Sequence, residues 1–234
     1  KFARAIESGG MQSAREFAEQ VFAVLLTVLI ALSALAMIFM PAVVGTVVAP
    51  AFADTPDKFD LTVELTRVMF PYLLCMSLVA MFSGILNSMR HYFIAAFVPV
   101  LLNIIMSAVT AYALWAGMDA FATGRLLSWG VLTSGIAQLL LLFIATRRTA
   151  FPLSLRTPKL TPEVKQLLIL MGPAMLTGGV VQINIMIGRI IASGQDGAIA
   201  LLNYADRINQ LPLGVIGVAI GVVLLPELAR SLKG

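Results

Sequence analysis

The sequence has few charged residues, one cysteine and one histidine among its 234 residues. Charged residues make up 12% of it, about half the ~25% share of soluble domains. Cys75 has no second cysteine to pair with inside the chain, and one Cys with one His, His91, cannot form a zinc centre. No Ser/His/Asp set, phosphate-binding loop or dinucleotide fingerprint is present. We therefore expect no catalytic residues, no metal site, no cofactor and no enzymatic activity.

The sequence does contain long runs without charged residues, and 59% of its residues are hydrophobic. A helix needs roughly 20 residues to cross a hydrocarbon core of about 30 Å. The runs do not alternate apolar and polar residues as membrane strands do. The sequence thus predicts an all-α, polytopic membrane helix bundle with six transmembrane helices. We place the spans at about 21–40, 68–89, 92–118, 126–146, 166–192 and 204–226.

The first uncharged run is too long for one span, and Pro41, Gly45 and Pro50 interrupt its second half. We expect this part, PAVVGTVVAPAF, to form a short interfacial or re-entrant piece. Irregular backbone at membrane depth has to be shielded from lipid by protein or water.

The charges divide unevenly between the two sides of the membrane when the loops are assigned alternately. One side, with both chain ends and the segment 147–165, holds eleven basic and five acidic residues. The other side holds five basic and seven acidic residues, and the two sides sum to the net charge of +4. Cytoplasmic loops collect Lys and Arg, so we predict that both ends are cytoplasmic. The basic balance then reflects topology, and we expect no nucleic-acid partner.

The segment 147–165 is the longest connection and contains Pro152, Pro158 and Pro162. It is either a plain basic loop or a hinge between two helical bundles. Thr161-Pro162-Glu163 predicts a helix start, with Thr as N-cap and Pro at the first position. In the helix that follows, Gly172-Pro173 and Gly178-Gly179 predict either interruptions of the kind that often lie near a substrate path in transporters or kinks that the helix tolerates.

Four polar residues near the membrane-spanning runs are candidates for contact with a substrate. Gln182 and Arg189 are seven residues apart and share a helix face, and Asp206 and Arg207 precede the last uncharged run. Arg207 either anchors the helix at the interface or faces a wet internal cavity and contacts an anion. Neighbouring residues lie about 100° apart on a helix, so Asp206 need not neutralise Arg207. An arginine suits phosphate because its planar fork can contact two oxygens at once.

The stretch YADRINQLPLGVIGVAIGVVLLPEL, at 204–228, resembles the signature of the MurJ (MviN) lipid II flippases. This family belongs to the multidrug/oligosaccharidyl-lipid/polysaccharide exporter superfamily. FPYLL at 70–74, GILNS at 84–88, VPVLLNI at 98–104 and the segment 49–62 also resemble the family in order and spacing. The resemblance covers essentially the whole chain.

The resemblance implies an internal part of a longer, two-lobe transporter. Residues 1–148 would then end the N-lobe, 149–165 would be the cytoplasmic inter-lobe linker, and 166–234 would begin the C-lobe. The family moves lipid II, an undecaprenyl-pyrophosphate-linked precursor of peptidoglycan, from the cytoplasmic to the periplasmic face by alternating access. The arginine of its YADR motif, which corresponds to Arg207, is needed for function.

From the resemblance we expect a monomeric, multi-pass transporter of the bacterial inner membrane, with lipid II and membrane lipid as its partners. Arg207, Asp206, Arg189 and Gln182 are its expected substrate-binding residues. Two alternatives remain: another exporter of the superfamily, for a polysaccharide-lipid or a drug, and a membrane scaffold that transports nothing.

Overall fold

The computed structural model describes residues 2–149, 154 and 156–212, and in these residues the chain is helical and contains no strand. In chain order the elements are α1 (Phe2–Ile38), α2 (Met40–Val43), a π-helical turn (Val44–Val48), a 3-10 turn (Pro50–Asp54), α3 (Pro56–Met69), α4 (Pro71–Ser88), α5 (Tyr92–Trp115), α6 (Ala120–Arg148), α7 (Pro162–Ala192) and α8, which occupies 198–212. We call α1–α6 the first helix group, and α7 with α8 the second helix group.

Five helical stretches are long and apolar enough to cross a membrane, which confirms the all-α membrane fold. They are Gln12–Ile38, Pro56–Ser88, Tyr92–Trp115, Ala120–Arg148 and Met175–Ala192. Most of the sixth predicted span, 204–226, lies outside the described residues. The helices extend past the predicted spans, because the spans were ended at charged residues and a helix can continue through them. α3, for example, is helical although it carries Asp57 and Arg67.

The segment after α1 forms three short helical pieces rather than a continuation of α1, and its interfacial or re-entrant position stays a prediction. Ala49 has φ −154° and separates the π-helical turn from the 3-10 turn. Met40, Val44 and Val63 form a small core that holds the segment against α3. Arg67 Nε donates to the carbonyl of Met37, 3.0 Å away, and so satisfies an acceptor in the last turn of α1.

The main core of the first helix group lies where α1, α4 and α6 meet. Phe82 of α4 is 1% exposed and lies between two rings. Its ring centroid is 5.7 Å from that of Phe22 on α1 and 6.1 Å from that of Phe143 on α6. Such tilted and edge-on arrangements suit the quadrupoles of aromatic rings. The core therefore joins helices that are far apart in sequence.

Gly135 permits the close approach of α6 to α4. A Cβ at this position would lie 2.6 Å from Tyr72 Cδ2 and 3.1 Å from Cys75 Cβ. Membrane helices pack through small residues of this kind, because close backbone approach replaces the hydrophobic driving force.

Gly135→Ala is expected to destabilise the protein by about 1–3 kcal/mol, because α4 and α6 must move apart to fit the methyl group. Thermal unfolding in detergent measures the effect. Gly84→Ala in α4 is the matched control, since a Cβ there meets nothing within 4 Å. The control is expected to be neutral or to gain up to about 1 kcal/mol, as alanine favours helix over glycine. Equal unfolding temperatures for the two variants would contradict this packing role.

The start of α7 agrees with the sequence, whereas its predicted interruptions are absent. Thr161 is the N-cap, its hydroxyl accepts a hydrogen bond from Val164 N at 3.4 Å, and Pro162 takes the first position. α7 then continues as one helix through Gly172-Pro173 and Gly178-Gly179. Thr177 Oγ donates to the carbonyl of Pro173 at 3.0 Å, as threonine side chains do to the carbonyl four residues earlier in a helix. The continuous helix agrees with the alternative of tolerated kinks, because glycine and proline raise the cost of a helix without preventing it.

Candidate transport site

Gln182 and Arg189 lie on α7 with exposed side chains. The helix is continuous between them, and seven residues at about 100° each bring a side chain back to within roughly 20° of the same direction. The shared face predicted from the sequence is therefore present. Arg189 is in the last turn of α7, where a cation is favoured by the partial negative charge of the helix end.

Asp206 and Arg207 lie on α8, and both are exposed. α8 follows a turn in which Gly197 has φ +76°, a conformation that side chains disfavour. Among the described residues, no hydrogen bond or ion pair joins Gln182, Arg189, Asp206 and Arg207 to one another. α8 is helical as far as Pro212, and the predicted small-residue face at Gly214, Gly217 and Gly221 lies outside the described residues.

The turn between α7 and α8 is joined to the first helix group by an ion pair. Lys58 Nζ of α3 donates to Asp196 Oδ1 at 2.9 Å, and it also lies 4.7 Å from the ring centroid of Phe52. Beside this pair is a cavity of about 430 Å³, whose walls include Thr62 and Asn203. Lys58 and Asp196 are 44% and 97% exposed, so the pair contributes little stability at this surface. The helix groups touch at this pair, and breaking it would cost little free energy.

The Lys58 ammonium beside Asp196 holds the pKa of that carboxyl below its ordinary value, through a hydrogen bond and charge attraction. Because the pKa of this carboxylate is lowered, the ion pair has its full stability at neutral pH and down to the ordinary pKa of about 3.9. The contribution is lost as the pH falls through the lowered value. The Asp196 carboxyl is therefore ionised at neutral pH.

The opposite end of α7 is tied to the first helix group through Glu19, whose side chain is 0% exposed. Glu19 Oε1 accepts hydrogen bonds from Arg15 Nε at 3.0 Å, Ser154 N at 3.0 Å and Ser154 Oγ at 2.7 Å. Arg156 Nε lies 2.6 Å from Oε2, but its N–H is not aligned on that oxygen, so this contact is an ion pair rather than a hydrogen bond. Removing one partner of a buried pair costs about 3–5 kcal/mol, because a buried charge is left uncompensated.

Among the described residues, the ion pairs between elements join residues that the charge pattern assigns to the same side of the membrane. Glu64 with Arg125, and Lys58 with Asp196, lie on the predicted periplasmic side. Glu19 with Arg156 lies on the predicted cytoplasmic side. α7 has 31 residues, or about 45 Å at 1.5 Å per residue, so the Glu19 and Lys58 contacts are separated by about the thickness of a membrane.

Sequence reasoning missed both the Lys58–Asp196 contact between the helix groups and the contact of Glu19 with the segment before α7. Glu19 did carry a signal, since it directly precedes the first uncharged run and Arg15 is four residues before it. An ionisable residue at the edge of a span calls for a partner. The identity of that partner had no signal, because Ser154 and Arg156 are more than 130 residues away and only the fold brings them to α1.

Comparison with known proteins identifies the family. The family model described as "Lipid II flippase MurJ" matches residues 1–234, the full length of the chain. The chain belongs to the lipid II flippase MurJ family. Members of this family are transporters rather than catalysts, and the apolar helices make the chain part of a multi-pass membrane protein.

Relatives in the MurJ family are similar along nearly the whole chain. A "Probable lipid II flippase MurJ" of Rhizobium tropici is 54% identical over 232 residues, which are 99% of this chain and 44% of that protein. A protein of the same description from Rhizobium meliloti (strain 1021) is 54% identical over 233 residues, 100% of this chain and 44% of its own length. A "Lipid II flippase MurJ" of Burkholderia cenocepacia is 35% identical over 190 residues, 79% of this chain and 36% of its own. The chain thus spans less than half the length of these relatives.

Proposed function

We propose that the chain is part of a flippase that moves lipid II from the cytoplasmic to the periplasmic face of the bacterial inner membrane. The observation that carries this proposal is the family match along residues 1–234, together with the descriptions of relatives at 54% identity. Because the chain spans 44% of those relatives, the activity belongs to the longer protein. Peptidoglycan synthesis is the process that this transport would serve.

The geometry suits alternating access between two lobes. In this proposal the first helix group ends the N-lobe, the segment 149–165 is the inter-lobe linker, and α7 and α8 begin the C-lobe. The groups touch near both ends of α7, where its first turn lies against α1 and the turn after it lies against α3, whereas Met175, Val180 and Ile183 in its middle are exposed. Contacts that sit at opposite ends can open in turn, which is what alternating access requires.

Arg207 has the proposed role of contacting the pyrophosphate of lipid II as the headgroup crosses. The polyprenyl tail can stay in lipid, but the phosphates lose their water and need donors in its place. A guanidinium supplies two parallel N–H donors and keeps its charge at any accessible pH. Arg189 and Gln182, exposed on one face of α7, are secondary contacts, and Asp206 lies beside Arg207 to limit the local positive charge.

The proposed orientation places both ends of the chain in the cytoplasm. The support is the excess of Lys and Arg on the side that holds 147–165, and the agreement of the ion pairs with that assignment. We propose a monomeric transporter with membrane lipid around it.

A complementation test addresses the substrate. Cells depleted of their own lipid II flippase receive the full-length protein, and growth and lipid II exposed at the periplasmic face are both measured. Lipid II flippase activity predicts that growth and exposed lipid II are both restored. Normal protein levels with neither restored would favour a polysaccharide-lipid or drug exporter, and no transport of any lipid-linked sugar would favour a scaffold.

A further inference from the structure

The basic segment between α6 and α7 does not leave the first helix group where α6 ends. Ser154 and Arg156 are bound to Glu19, as described above, and the backbone N–H of Lys159 donates to Gln20 Oε1 at 3.2 Å. Three described residues of the segment thus contact two adjacent residues of α1. Three residues, Leu160, Thr161 and Pro162, then separate the last of these contacts from the body of α7.

We propose that Glu19 is a docking site for the inter-lobe linker, so that Ser154, Arg156 and Lys159 move with the first helix group. The free pivot between the groups is then the short step at Leu160 and Thr161, just before α7, rather than the whole linker. From Pro162 onward the chain is held as helix, because the proline has a fixed φ and the Thr161 hydroxyl caps Val164 N, so rotation falls on the residues just before it.

The chemistry of Glu19 favours docking over a surface contact. Its carboxylate is fully buried, whereas the neighbouring Glu16 is half exposed and lies 3.8 Å from the same arginine, Arg156. Ser154 gives Glu19 both its N–H and its hydroxyl, so the carboxylate fixes the linker backbone as well as a side chain. Hydrogen bonds to a charged acceptor are about twice as strong as those between neutral groups.

The first test measures docking without reference to transport. Inside-out membrane vesicles containing the full-length protein are treated with trypsin, and cleavage after Arg156 and Lys159 is followed over time. In Glu19→Gln an amide N–H₂ would face the Arg156 guanidinium, donor against donor, and release the linker. We expect cleavage to rise about tenfold or more, since proteases cut such segments in their locally opened state.

Glu16→Gln is the matched control, because it removes a carboxylate one turn earlier on the same helix. Its cleavage rate is expected to stay within about twofold of the parent protein, in keeping with the small worth of an exposed pair. Equal rates for both variants, at the parent level or above it, would overturn the docking role. If Glu19→Gln fails to accumulate, Ser154→Ala, which removes a linker hydroxyl at the surface, is expected to raise cleavage by a smaller factor.

The second test concerns motion, and this step rests on the proposed function. Gln20→Cys with Lys159→Cys is joined by a short bifunctional thiol reagent in a protein whose native cysteines, including Cys75, are replaced. A linker that travels with α1 predicts that lipid II transport continues after joining. If cross-linking stops transport, the linker does not move with α1. If the protein transports no lipid II even before cross-linking, while the linker is still protected from trypsin, the result counts against the proposed function alone.

Discussion

Arg207→Ala in the full-length protein is expected to abolish growth of cells depleted of their own lipid II flippase. If the side chain replaces water around the pyrophosphate, its removal costs two charge-assisted hydrogen bonds at the moment of crossing. Each such bond is worth about 1.5–3 kcal/mol, so transport should fall by a factor of about 100 or more. Growth and periplasmic lipid II measure the effect together, with protein levels checked by immunoblot.

Arg207→Lys separates charge from geometry at this position. Lysine keeps the positive charge but loses the planar fork that contacts two oxygens. We expect partial transport, between the parent and Arg207→Ala. Arg148→Ala, at the exposed end of α6 on the predicted cytoplasmic side, removes an arginine from a helix other than α8 and should rescue fully. Full rescue by Arg207→Ala would instead make Arg207 an interface anchor.

Joining residue 58 to residue 196 is expected to stop transport. The side chains of Lys58 and Asp196 meet at 2.9 Å across the two helix groups on the predicted periplasmic side. With cysteines at both positions and a short bifunctional thiol reagent, this end can no longer open. Lipid II should accumulate in the cytoplasmic leaflet, and a cleavable reagent should restore transport after reduction.

The control for this experiment is a second ion pair on the same side of the membrane. Glu64 and Arg125 approach to 2.8 Å, but α3 and α6 both belong to the first helix group. Joining cysteines at 64 and 125 should leave transport unchanged, because the proposed motion occurs between the groups. Unchanged transport after joining 58 to 196 would place the moving boundary elsewhere.

Hydropathy and turn chemistry predicted most of the fold, because lipid imposes length and charge limits that a sequence displays directly. The runs at 92–118 and 126–146 became α5 and α6, and Thr161-Pro162 became the start of α7. Aromatic residues mark both ends of α5, with Tyr92 at its start and Tyr112 against Trp115 at its end. Such aromatics favour the membrane interface.

Local breaks and distant partners were harder to predict. Gly172-Pro173 signals a break, yet α7 continues, because one missing N–H raises the cost of a helix without preventing it. The Lys58–Asp196 pair and the contacts of Glu19 join loop residues to helices distant in sequence, and no periodicity encodes them. The role of Arg207 stays a prediction, since it depends on the substrate and on spans beyond this chain.

The burial of Glu19 has a consequence for the order of events during synthesis. Its partner Ser154 follows 135 residues later. At roughly 5–20 residues per second, a ribosome needs about 7 to 27 seconds to reach it, and four membrane helices must be inserted in that interval. Of the three residues that contact Glu19, Arg15 alone has been synthesised when the first helix enters the bilayer. Arg15 can thus pair with the carboxylate while the chain is still being made. Ser154 and Arg156 add their hydrogen bonds and ion pair after α6 has been inserted.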